Sequence, residues 1–286
     1  MGSWARSKEI TRTCFEVIKA DKEMLLFPVL AGLFSIAFTL AMLFPTIIVE
    51  ILRHQHFAFE PFHYALVFGT YLGLAFVATF FNVCTVYTTK VRLEGGDATF
   101  FQSIGFAFSR IHLILAWSLL AATVGLILHL LDNAGRRTGP IGKILIGILR
   151  AALGAAWSLI TIFVVPAMVY EGLGPFAAIK RSIETLKQTW GESLIRYYGL
   201  GLVQFALLVP AFIVAFLAVP AMSRGVPVEL GLGLLALLFL YVIAVILVFQ
   251  VANQVFNTAL YVYAATGRVP SGFNGDVLRG AFQHKD

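Results

Sequence analysis

Glu50, His54, His56, Glu60 and His63 fall within one stretch of fourteen residues. Two imidazoles in His-x-His register on an extended segment can chelate zinc or copper, so His54, His56 and His63 are the residues from which a metal site would be built. Their spacing is not that of a metalloenzyme such as His-Glu-x-x-His. A solvated loop with interfacial anchors at Phe57, Phe59 and Phe62 explains the same residues without an ion. The expectation is therefore no metal.

The second set of polar groups is made of carboxamides. At 100° per residue, Gln250, Asn253, Gln254 and Asn257 share one helix face about 100° wide, and Tyr261 falls inside it. An earlier apolar run places Asn82 with Thr79, Thr85 and Thr89 on an arc of about 120°. An amide without a partner in hydrocarbon is costly, so both faces must meet protein, water or a ligand. One use is a hydrogen-bonded seam between helices. The other is a polar lining for a substrate. The run carrying the four carboxamides spans 34 residues, about 51 Å as a helix against a hydrocarbon core of about 30 Å. Its last third must tilt or leave the core, which puts the carboxamides near one leaflet rather than at the midplane where transport sites usually sit. That depth favours the seam, with Asn82 at a similar level.

No other constellation carries chemistry. The sequence has no phosphate-binding loop, nucleophile elbow, kinase or dinucleotide fingerprint, and no Cys-x-x-Cys. Cys14 and Cys84 are expected as free thiols. His129 and Asp132 close an apolar run and could pair or relay protons, but at its outer end simple interfacial placement is the expected use. No charge falls deep inside any run, which argues against proton-coupled transport and against a carboxylate-dyad hydrolase. The expected protein is not an enzyme, holds no cofactor and binds no nucleic acid.

The elements that position these groups follow from composition. Of 286 residues, 59% are hydrophobic and 13% charged, far from the roughly 25% charged of soluble domains. The bilayer must be the main solvent. Six apolar runs, 24–50, 64–88, 111–131, 151–170, 197–222 and 230–263, are each long enough to cross it as helices. The fold class is thus all-α integral membrane with six spans in a single domain, 1–286. Fifteen of the 21 Lys and Arg lie in the N-terminal segment, the 2–3 and 4–5 connections and the C-terminal segment. That bias predicts both termini in the cytoplasm.

The runs also repeat. An amphipathic segment precedes two spans three times, in units of roughly 1–97, 98–174 and 175–286. "FEVIKADKEMLLF" at 15–27 matches "IETLKQTWGESLI" at 183–195, and "FNVCTVYTTK" at 81–90 matches "FNTALYVYAATG" at 256–267. In the third unit Ile179, Ile183, Leu186 and Trp190 form an apolar stripe on a helix that carries Lys180, Arg181 and Lys187. Such a helix can lie among headgroups, or it can pack back on its own bundle. Ala151, Ala152, Gly154, Ala155 and Ala156 allow close helix approach, first for internal packing and second for an oligomer.

"KADKEMLLFPVL" (19–30) and "FVVPAMVYEGLGPFAAIKRSIETLKQTW" (163–190) resemble a group of uncharacterised multi-pass bacterial and archaeal membrane proteins carrying domain-of-unknown-function labels. They are also distantly similar to the membrane domain attached to some glycerophosphodiester phosphodiesterases. The resemblance implies six helices and an inner-membrane location, and no catalytic residue. The function expected is organisation of lipid or of a partner complex at the cytoplasmic face, with Lys180, Arg181, Lys187 and Trp190 as the contact surface. Its partners are membrane lipids, with a membrane-protein partner or a homo-oligomer beside them. The alternative is a channel or facilitator for a small polar or amphipathic solute.

Overall fold

The computed structural model describes residues 3–53, 60–136, 138–190, 199–222 and 227–273. Every element among them is helical. The chain opens with the amphipathic α1 (Ser3–Ala20) and a single 3-10 turn (Lys22–Leu25). The long α2 (Leu26–Arg53) and α3 (Glu60–Leu93) follow. A short α4 (Phe100–Ser109) leads to α5 (Ile111–Arg136), α6 (Pro140–Ile160) and α7 (Val164–Glu171). The chain then runs through α8 (Pro175–Trp190), α9 (Gly199–Met222) and α10 (Val228–Thr266). Helices are the element a lipid-facing backbone can adopt, because each satisfies its own N–H and C=O groups.

Among the described residues, five segments are long and apolar enough to cross a membrane: Lys22–Pro45, Tyr64–Leu93, Ile111–Arg136, Ile141–Glu171 and Val228–Thr266. The fifth sequence run, 197–222, is helical as α9, and its stretch Val203–Ala218 belongs with the shorter apolar helices. The fourth run is longer than its apolar core. α6 begins at Pro140, so Lys143 and Arg150 sit on a helix rather than in a loop. Arg150 is tolerated there because its Nε lies 3.0 Å from Oδ2 of Asp132 on α5. Arg150 thus lies ten residues into α6, which departs from the expectation that no charge falls deep inside a span. His129 does not pair with Asp132; its Nε2 lies 3.1 Å from Nδ2 of Asn133.

The helix ends follow local rules. Thr99 caps α4 in a reciprocal capping box with Gln102. Pro140 opens α6 at a position where the missing N–H is no loss. Between α6 and α7 the helix is interrupted at 161–163, ahead of Pro166, which cannot bond to the carbonyl four residues back. The N–H of Phe163, freed by that break, donates to Oγ of Ser182 on α8 at 3.1 Å, with both residues fully buried. α7 stops at Gly172, which supplies the left-handed φ of 65°.

The core lies at one end of the bundle. Cys14 and Ile18 of α1, Met24 and Phe27 after it, Val83 and Val86 of α3 and Ile114 of α5 are buried in one cluster. Ala167 and Met168 of α7, Ala178 of α8, and Val255 and Leu260 of α10 join them. At the other end the apolar side chains face outward: Ile36, Leu40 and Phe44 on α2, Ile141 and Ile148 on α6, Leu230 and Leu237 on α10. The small residues of α6 belong to this exposed part. Ala151, Ala152, Ala155 and Ala156 are exposed, so they do not serve internal packing as expected. Cys14 and Cys84 are free and buried.

Candidate functional site

The carboxamide face divides into two sites. Its upper part lines a cleft of about 240 Å³ between α2, α3 and α10. α10 contributes Gln250 and Gln254, and α3 contributes Ala78, Asn82 and Thr85. α2 supplies Ala31, Gly32 and Ser35, small side chains that leave the space open. A Cβ on Gly32 would meet no heavy atom within 4 Å. None of the described lining residues is charged. Thr85 turns its hydroxyl back onto its own helix, donating to the carbonyl of Phe81 at 3.0 Å.

The carboxamides of Asn82, Gln250 and Gln254 do not bond to one another or to any described side chain. This differs from a hydrogen-bonded seam. Asn82 and Gln254 are half-buried and Gln250 is exposed, on helices whose apolar neighbours face lipid. Asn253 and Asn257 are half-buried on the same face, and Oδ1 of Asn257 is buried without a hydrogen bond. Each such amide costs on the order of 2 kcal/mol or more if nothing pairs with it.

The lower part of the face belongs to a polar latch. Tyr261, 1% exposed, donates its hydroxyl to Oε1 of Glu171 at the end of α7. The same oxygen accepts from Nε of Arg181 on α8 at 2.8 Å. That bond raises the Arg181 guanidinium further above its ordinary pKa. Tyr170 packs beside Tyr261 with ring centroids 5.8 Å apart, and Lys90 Nζ sits 4.8 Å from the Tyr170 ring. The latch ties α7, α8 and α10 together at the packed end. Arg92 does the same for the first helices: its Nε lies 2.9 Å from Asp21 and its Nη2 2.7 Å from Asp97.

The proposed contact surface on α8 therefore splits. Ala178, Ser182 and Thr185 are buried on one face, so the helix packs on its own bundle. Arg181 is engaged in the latch rather than presented outward. Lys180 and Lys187 are exposed, and with exposed Phe176 they fall on a stripe about 40° wide. Phe101 and Phe108 on α4 are likewise exposed and seven residues apart on one face. The Trp190 side chain lies outside the described residues, as do His54, His56 and the side chain of His63.

Sequence reasoning found the carboxamide face but missed Glu171 and the α2 wall. A signal existed for Glu171, which is an acid immediately before a helix-ending Gly, ten residues from Arg181. The α2 residues gave none, because Ala, Gly and Ser in an apolar run have no chemistry of their own.

Residues 62–273 match the sequence profile of a family of unknown function, DUF6159, and the chain belongs to that family. The matched region contains the α3 and α10 walls of the cleft and the whole latch, while α1 and α2 precede it. No curated protein matches the chain.

Proposed function

We propose that this member of the family is a non-enzymatic multi-pass membrane protein that organises lipid at one face of an inner (plasma) membrane. One observation carries the reading. α8 buries Ala178, Ser182 and Thr185 while offering Phe176, Lys180 and Lys187 as a single outward stripe. An aromatic and two ammonium groups on a helix seated against a membrane bundle suit anionic headgroups. Phe101 and Phe108 of α4 add apolar anchors.

The reading takes the packed end as cytoplasmic, from the Lys and Arg bias, and counts α9 as a sixth span. It also takes the chain as three units. Helix packing supports that division. α1 packs on α9 and α10 of the third unit, α4 on α3 of the first, and α8 on α5, α6 and α7 of the second. Each leading helix thus touches the spans of the unit before it, while α4 also packs on α5 and α8 on α10 of their own units. α3, α7 and α10, which end the three units, meet one another. The exposed alanines of α6 mark where a second copy or another membrane protein would approach most closely. The likeness to the phosphodiesterase membrane domain rests on the two sequence stretches alone.

The test uses the full chain, extracted gently and examined by native mass spectrometry with phosphatidylglycerol supplied. A basic side chain near an anionic surface contributes about 1 kcal/mol, so Lys180→Gln/Lys187→Gln is expected to weaken retention roughly thirtyfold. Equal retention by the double variant refutes the surface. A second reading, a facilitator for a small polar or amphipathic solute, is favoured by the cleft. It requires solute flux that Gln250→Leu abolishes while the α8 variant leaves it intact.

A further inference from the structure

We infer that the cleft between α2, α3 and α10 is an intramembrane binding site for the uncharged polar group of a glycerol-ester lipid, of diacylglycerol chemistry. The inference extends the lipid-organising reading to a second site, and its test is independent of Lys180 and Lys187.

Depth comes first. Ser35 lies nine residues into α2, Asn82 lies eight residues before Lys90, and Gln254 lies twelve residues before the end of α10. At 1.5 Å per residue these are about 14, 12 and 18 Å in from the packed end, within the roughly 20 Å of one leaflet with its headgroups, while Gln250, sixteen residues before that end, lies about 24 Å in and reaches toward the midplane. Groups there meet the upper acyl chains and glycerol backbone of a lipid, not a soluble solute in bulk water.

Polarity comes second. Asn82, Gln250 and Gln254 offer amide donors and carbonyl acceptors with no described protein partner. Each demands a hydrogen bond at this depth. A hydroxyl and ester carbonyls supply both halves of that demand. A phosphate or ammonium does not suit the site, because no described lining residue carries a charge to pair with it.

Size comes third. The cleft holds about 240 Å³, below the roughly 300–1,000 Å³ of pockets that enclose a whole ligand. Only the polar part of an amphiphile fits, so its chains must run outside along the helices. The wall beside the mouth suits them. Phe34, exposed on α2, packs 5.9 Å from the ring of Phe81, which lines the cleft, and Leu33 and Val29 are exposed next to it.

The experiment places the full chain in phosphatidylcholine nanodiscs doped with photoactivatable diacylglycerol, its reactive group high on one acyl chain. Photoactivatable phosphatidylcholine and phosphatidylglycerol are run in parallel, and labelled peptides are mapped. Diacylglycerol label is expected to concentrate on 26–40, 78–85 and 247–254. It is expected to fall roughly five- to tenfold there in Gln250→Leu/Gln254→Leu, which removes two hydrogen bonds in lipid. Those substitutions take unpaired amides out of the membrane and should not impair folding. Gly32→Leu fills the cleft by bulk and should block the label equally, which keeps the test valid if the double variant misbehaves. Phosphatidylglycerol retention lost on Lys180→Gln/Lys187→Gln must persist in the cleft variants. Diacylglycerol label spread as evenly as phosphatidylcholine, or unchanged by both cleft variants, overturns the proposal. Phosphatidylcholine or phosphatidylglycerol labelling the cleft as strongly overturns its selectivity for an uncharged group. Modification of Ala78→Cys by a membrane-impermeant maleimide in the nanodisc reveals a water path and also overturns it.

Discussion

Replacing Tyr261 with Phe removes one hydroxyl from the latch and leaves the ring in place. In the native chain that hydroxyl donates to Glu171 from a residue 1% exposed, while the Glu171 and Arg181 side chains are 34% and 26% exposed. A hydrogen bond to a charged group contributes about 1.5–3 kcal/mol when buried, and the partial exposure of Glu171 selects the lower end, about 1.5 kcal/mol. The half-exposed Arg181–Glu171 pair adds about 0.5–1 kcal/mol by itself. The informative comparison is a change of sign. In a Glu171→Ala/Arg181→Ala background the Tyr261 hydroxyl is buried with both of its charged neighbours gone, and an unmet buried group costs about 1–3 kcal/mol. Removing the hydroxyl there should restore stability by about 1 kcal/mol, where the same substitution in the native chain loses about 1.5. Reversible unfolding in mixed micelles, followed by tryptophan fluorescence, reads all four corners of the cycle. An equal loss from Tyr261→Phe in both backgrounds refutes the latch, because it would show that the hydroxyl acts without Glu171.

The break between α6 and α7 predicts that Ser182→Ala leaves the Phe163 N–H unmet, at about 1–3 kcal/mol, while Ser182→Thr, which keeps a hydroxyl, is milder in the same unfolding assay. Burial holds the Cys14 thiol well above its ordinary pKa, so it stays protonated at a pH where an exposed cysteine ionises. A water-soluble maleimide at mildly alkaline pH should leave Cys14 unmodified until the chain is unfolded; rapid labelling of the folded chain by mass spectrometry contradicts the packing of α1.

The sequence made the helices legible because a bilayer leaves the backbone few options, and Leu- and Phe-rich runs announce them. Their edges were less so. α6 begins eleven residues earlier than its unbroken apolar run, since Lys143 and Arg150 disguise a helix on which Arg150 is met by Asp132 of a neighbour. The face shared by Gln250, Gln254 and Asn257 followed from the helical period alone. Its division did not, because whether a carboxamide meets a partner or a cleft depends on which other helix lies opposite. The decisive neighbours, Gly32 and Ser35, are distant in sequence and chemically quiet.

The gathering of the core at one end has a mechanical consequence. The helices are clamped where residues of α1, α4, α7 and α8 join one buried cluster, and run outward as arms whose apolar side chains are mostly exposed. A clamped arm bends more easily the further it extends, and α10 extends for 39 residues. Membrane thickness acts on the free ends, since apolar spans tilt to match the slab around them. The bilayer therefore sets the spread of the arms, while the clamp holds its registry. The cleft sits where arm and clamp join, so a change in the spread of α2, α3 and α10 would act directly on its walls.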